Sequence, residues 1–211
     1  MRAKLMLSVI FFGCLTVNIA MADSTINNWY LPLRLNSGNT MVNFEVDSTW
    51  HTIQGAVKEI VGTVKARDNS DPSKIDFELK LSVQMFDTDN SSRDGKLRRV
   101  MAADKYPYVV FTAKELLRHC TPAKVLEQGN CKDLVAGQLT IRETTKSIKI
   151  PVNISKQGEG FVVEGETKFN WLEFGVEDPS IFIAKVEPEI SVFFNLSWDK
   201  NGNPVSKLGT S

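Results

Sequence analysis

Along residues 75–84 the apolar side chains of Ile75, Phe77, Leu79, Leu81 and Val83 alternate with Asp76, Glu78, Lys80, Ser82 and Gln84. A period of two places every apolar group on one face of an extended strand and every polar group on the other. The same alternation runs through Val42, Phe44 and Val46, through Ile148, Ile150, Val152 and Ile154, and through Ile190, Val192, Phe194 and Leu196. Turn-forming clusters separate such runs: Asn36-Ser37-Gly38-Asn39, Asp68-Asn69-Ser70-Asp71-Pro72, Gln157-Gly158-Glu159-Gly160 and Glu177-Asp178-Pro179-Ser180. Short amphipathic strands at this spacing, without recurring helical crossovers, predict an antiparallel sandwich or barrel, and the pattern does not choose between the two.

Two segments break the alternation. In residues 92–101, Leu97, Val100 and Met101 recur at helical spacing, Ser92 or Asp94 can supply the capping oxygen, and Tyr106-Pro107 bars any long continuation. This is the one short helix expected. In residues 51–64 the stripe Ile53, Val57, Ile60, Val61 and Val64 fits a helix, whereas Gly55, Gly62 and the β-branched content fit two strands joined by a turn.

The first residues have a different logic. Arg2 and Lys4 precede the apolar run of residues 5–20, and Ala20-Met21-Ala22 follows it. This is the layout of a secretory signal peptide, so residues 1–22 are expected to be removed and residues 23–211 to form a single domain in the periplasm. Lysine plus arginine and aspartate plus glutamate each number 25, and losing Arg2 and Lys4 tips the balance only slightly towards acid. A near-neutral chain has no long-range attraction for nucleic acid.

Export changes the reading of the cysteines. Cys14 lies in the leader, which leaves Cys120 and Cys131 separated by the short stretch TPAKVLEQGN, and an oxidising compartment favours a disulfide closing a hairpin loop there. Two unpaired thiols are the alternative. A metal centre needs three or four convergent ligands, and His51 and His119 are the only histidines. The chain has no recognisable hydrolase elbow, phosphate loop or metal-binding helix, and its carboxylates fall mostly on the polar parity of strands. Catalysis is therefore not expected. A third class of function, contact with an envelope protein or membrane, would use loop aromatics such as Trp50 or Trp171.

Several segments carry a family resemblance. Arg93-Asp94-Gly95-Lys96-Leu97-Arg98 is followed by Asp104-Lys105-Tyr106-Pro107 and Val109-Val110-Phe111. Then come Gly137-Gln138-Leu139-Thr140-Ile141, Thr144-Thr145-Lys146, Phe169-Asn170 and Phe174-Gly175. In their order and spacing, from about Trp29 to Trp198, these resemble the YceI-like family. The resemblance implies an extended antiparallel lipocalin-like β-barrel with one short helix around an apolar cavity, and a polyisoprenoid chain as ligand. It also implies two strands for residues 51–64. The chain departs from the family pattern at Asn36, Asn39, Lys96 and Trp171, positions at which polar contacts to a lipid head group would differ.

A barrel of about eight strands is wide enough either to fill with its own side chains or to hold one small ligand. Alternation alone favours the filled core, and the resemblance favours the cavity. The expectation is thus an exported lipid-binding protein that sequesters or carries a long apolar, polyisoprenoid-like lipid. Its tail would lie against Phe44, Phe77, Leu79, Leu81, Ile150, Val192 and Phe194, with no cofactor other than that lipid. A homodimer is compatible with the sequence. The alternatives are an envelope protein-interaction module without stoichiometric lipid and a hydrolytic enzyme.

Overall fold

In a computed structural model, residues 28–180 and 185–205 are described; the expected leader and its cleavage site lie outside them. The alternating runs form strands that join one antiparallel sheet: β1 (Leu33–Asn36), β2 (Thr40–Ser48), β3 (Thr52–Val57), β4 (Ile60–Ala66), β5 (Lys74–Ser82), β6 (Phe86–Asp87), β7 (Tyr108–Leu116), β8 (Asn130–Ile141), β9 (Thr144–Gln157), β10 (Gly160–Asn170) and β11 (Val186–Trp198). Their spatial order is β1-β4-β5-β7-β8-β9-β10-β11-β2-β3-β6. The sheet curls into a lipocalin-like barrel. The short connections force this curl: β3 and β4 lie near opposite ends of the strand order yet are joined by Lys58 and Glu59 alone. At that corner the Lys58 amide donates to Met85 O (2.9 Å) and the Ser82 amide to Glu59 O (3.1 Å). The terminal strands β1 and β6 are only four and two residues long, which leaves little unpaired edge for another chain to add to.

Residues 51–64 are therefore two strands. The glycines decide it locally. A Cβ at Gly55 would fall inside the Phe44 ring, and one at Gly62 would fall on the Glu78 carbonyl of β5, so both positions demand the close approach that a sheet imposes.

Helix α1 (Ser91–Val100) forms where the apolar spacing predicts, but its cap is Asn90, whose Oδ1 accepts from the Arg93 amide at 3.0 Å. Asp94, expected as a possible cap, is instead buried and accepts from the Thr88 amide (3.0 Å) and hydroxyl (2.5 Å). Arg93 reaches back to the same residue, Nε to Thr88 Oγ1 (2.8 Å) and Nη2 to Thr88 O (2.6 Å). These bonds pin the helix across the end of the barrel. It ends at Met101 because Ala102 takes a left-handed φ of 50°, several residues before Pro107 acts.

The expectation of a single helix is corrected by α2 (Pro122–Gln128). Thr121 caps it, Pro122 occupies its first turn, and Gly129 at φ 80° ends it. Val125 is fully buried against the core, so the stretch between the cysteines is a docked helix and not a free hairpin loop. The Cys120–Cys131 disulfide spans it, with Cα atoms 6.0 Å apart and Cys120 wholly inaccessible.

Candidate ligand cavity

One end of the barrel is closed by aromatic packing. Trp29, Tyr30 and Trp198 surround Phe161, with ring centroids 5.0, 5.6 and 5.8 Å from it. Their polar atoms are used internally: Trp198 Nε1 donates to Trp29 O (2.6 Å) and Trp29 Nε1 to Pro72 O (2.9 Å). Indoles buried this way contribute their full apolar area without leaving an N–H unpaired.

Above this plug the interior is hollow. A cavity of about 190 Å³ extends from Trp29 and Trp198 up to Leu81, Phe169 and Val192, and among the described residues no charged side chain lines it. Thr40 and Thr167 bring hydroxyls to the wall, and Thr40 Oγ1 donates to Asn39 Oδ1 (3.0 Å). An apolar void of this size stays dry and takes up hydrocarbon. Inward-facing Phe77, Leu81, Phe111, Val135, Ile148, Val163, Val192 and Phe194 remain only partly buried although they pack against the core. In a filled barrel such side chains would be sealed.

Glycine opposite phenylalanine keeps the space open. Gly55 pairs with Phe44 and Gly165 with Phe194 across the ladder, while Gly137 lies diagonally beside Phe111. Each ring lies over the bare glycine of the adjacent strand, at the spot where a Cβ would sit. The rings are thereby held against the wall instead of projecting across the lumen.

A second, more open cavity of about 480 Å³ continues from the first, sharing Val42, Leu81, Val109, Phe169 and Val192. It is roofed by Leu97 and Val100 of α1 and by Met101 at its C-cap, and flanked by Trp50 and His51 between β2 and β3. Of the residues expected to line a cavity, Phe77, Leu79, Ile150 and Phe194 line the inner part, Leu81 and Val192 face both parts, and Phe44 faces the outer part. Sequence reasoning missed Phe111, Val163 and the aromatic plug; inward parity on β7 and β10 was the available signal for the first two.

The polar departures are located as follows. Asn39 is buried in the β1–β2 turn, where its side chain accepts from the Asn36 amide (3.0 Å) and donates to Arg34 O (2.8 Å). Asn36 and Asn39 therefore build a turn outside both cavities. Lys96 lines the outer cavity. Trp171, expected on an exposed loop, is buried and donates from Nε1 to Glu187 O (3.0 Å), a correction that follows from the single-turn helix at 171–174 folding it inward. Trp50 is 71% exposed.

One grouping has the residue types of a hydrolase. Ser73 Oγ lies 2.6 Å from Asp71 Oδ1 and 3.1 Å from His119 Nδ1. The order is wrong for nucleophile activation, because the serine sits between acid and imidazole and gives its proton to the acid. The Ser73 hydroxyl and amide hold the Asp71 carboxyl below its ordinary pKa. Ser73 has no access to solvent, so the set serves as a loop clamp. Among the described residues no group of three or more histidine, cysteine, aspartate or glutamate side chains is placed to hold a metal ion.

Comparison with known proteins matches residues 33–198 to the YceI-like domain. BcnA of Burkholderia cenocepacia superposes with a TM-score of 0.62 at 21% identity, covering 74% of this chain and 94% of that one. A polyisoprenoid-binding domain from Saccharophagus degradans gives 0.61 at 12% identity, covering 77% and 95%. A YceI mutant of Campylobacter jejuni with a monobromobimane guest gives 0.53 at 19% identity, covering 67% and 81%. No curated protein matches the chain.

Proposed function

This chain belongs to the YceI-like family, and from that premise we propose that it is an exported, periplasmic protein that holds one long apolar lipid inside its barrel and binds it without transforming it. The observation that carries the reading is the apolar inner cavity, on whose wall Phe77, Phe111, Val135, Val163 and Phe194 stay only partly buried. A polyisoprenoid-like tail suits it, since a chain of methyl-branched units fills a narrow lumen between held-back phenylalanine rings. The Saccharophagus domain, described as polyisoprenoid-binding, supports the same class. The disulfide fits an oxidising compartment.

Burying roughly 500 Å² of hydrocarbon favours binding by about 12 kcal/mol at about 25 cal/mol/Å². Association and ordering costs of about 4–15 kcal/mol offset much of this, so affinity depends on how well the tail fits more than on area. Organic extraction of gently purified exported protein, followed by mass spectrometry, tests the proposal. One lipid per chain is expected, and an empty extract from protein purified without detergent contradicts it. Trp50 favours a second reading, in which the mouth docks on an envelope protein; pull-down with lipid analysis of the same material separates the two, because only that reading retains a partner when no lipid is found.

A further inference from the structure

We propose that the barrel mouth is a subsite for an acidic head group, so that the lipid held is an anionic amphiphile carrying a carboxylate or phosphate at its exposed end. The inference rests on the lipid-holding reading above and specifies its ligand. Among the described residues the outer cavity brings Arg93, Lys96, Lys185 and His51 to its wall and no carboxylate, in a chain whose acidic and basic residues are equal in number. Asp94 is near in sequence, but it is buried and turned to Thr88, and Asp47, Asp89, Asp178 and Glu187 do not line the cavity.

The cations are available. Lys58, Lys74, Lys80, Lys114 and Lys146 are each held by a carboxylate on the outer surface. Lys96 and Lys185 have no such ion pair among the described residues. Arg93 spends Nε and Nη2 on Thr88, which fixes the guanidinium plane and leaves Nη1 without an acceptor among the described residues. Ser48, Asn90 and Ser92 add neutral polar groups to the same wall, and the N-terminal end of α1 contributes partial charge of the same sign. Lys96, Lys185 and His51 are exposed at the mouth and Arg93 is half-buried, so an anion there gains charge-assisted contacts that a neutral head group does not.

The test is paired titration of full-length exported protein with farnesyl phosphate and farnesol, which share one tail, at low and high salt. The phosphate should bind about tenfold more tightly, as expected for partly exposed charge-assisted contacts, with the advantage shrinking as salt rises. Lys96→Gln combined with Lys185→Gln, which breaks no ion pair or side-chain hydrogen bond among the described residues, should abolish most of the advantage, read as the ratio of phosphate to alcohol affinity. Equal binding of alcohol and phosphate, or an advantage that persists in the double variant, overturns the acidic subsite while leaving the lipid-holding reading intact. Binding of neither, with an empty organic extract, overturns that reading itself. Sedimentation with phosphatidylglycerol vesicles in the absence of any preference for farnesyl phosphate assigns the cations to a membrane surface and overturns the subsite. Displacement of farnesyl phosphate by an equal concentration of inorganic phosphate also overturns it, since the site would then read the anion without the tail.

Discussion

The two ends of this barrel are built from similar residues and behave oppositely. At the closed end Trp29, Phe161 and Trp198 interlock, their indole N–H groups bond to backbone carbonyls, and α2 and the disulfide brace the outside. At the open end Trp50 projects into solvent, Phe44 is held back over Gly55, and α1 arches over a gap. Aromatic residues stabilise the first region and line the second. Phe161 of the plug pairs with Trp198 on its facing strand, whereas Phe44 at the open end pairs with the bare Gly55.

The largest contrast should appear in the tryptophans. Trp198→Ala removes a buried plug residue and should lower stability by about 3–5 kcal/mol, whereas Trp50→Ala should shift it by no more than about 0.5 kcal/mol. Urea unfolding measures both, and comparable losses would erase the distinction between the ends. The disulfide comes next. Replacing Cys120 and Cys131 together by alanine should cost about 2–3 kcal/mol on chain-entropy grounds, with lipid retention unchanged because the bond braces the closed end. Loss of lipid at preserved stability would show that the two ends are coupled.

At the open end the sharper change is Gly55→Ala. The three heavy atoms nearest its added methyl all belong to the Phe44 ring, which must swing off the wall into the outer cavity. A cost of about 1–3 kcal/mol is expected together with reduced lipid content by mass spectrometry. Full lipid content would mean that the ring position is immaterial to binding.

The smallest effect belongs to pH. The Ser73 hydroxyl, and then its amide, holds the Asp71 carboxyl below its ordinary value of 3.8. A depressed carboxyl stabilises the fold above the unfolded-state pKa and loses that contribution as pH falls through the folded-state one. The melting temperature should therefore hold from neutrality to about pH 4 as far as this group is concerned. Ser73→Ala should lose slightly less than the parent on further acidification. A larger acid loss in the variant would refute the assignment of this clamp.

Much of the wall was legible because period-two alternation on β2, β5, β9 and β11 specifies which face turns inward without reference to the rest of the chain. Helix α1 was legible for the corresponding reason at helical spacing. Helix α2 was not: it is about two turns long and buries only Pro122 and Val125, so no apolar stripe develops, although Thr121-Pro122 and Gly129 mark its two ends. The burial of Trp171 depends on a carbonyl at Glu187, far along the chain, and has no local signature. Alternation is also blind to whether the inward face is packed or hollow. Here that difference arises from glycines on neighbouring strands, which only the register brings opposite Phe44 and Phe194.

The central claim is that the space beside Leu79 is a ligand cavity and not a core, and Leu79→Phe tests it most directly. The substitution stays apolar and adds volume. Lipid content of the purified protein and the melting temperature of the lipid-free protein should be measured on the same preparation. A cavity predicts that the variant loses the lipid carried by the parent while its lipid-free form melts at an equal or higher temperature. A parent without lipid, and a variant destabilised by the roughly 1–3 kcal/mol that overpacking costs, would contradict it.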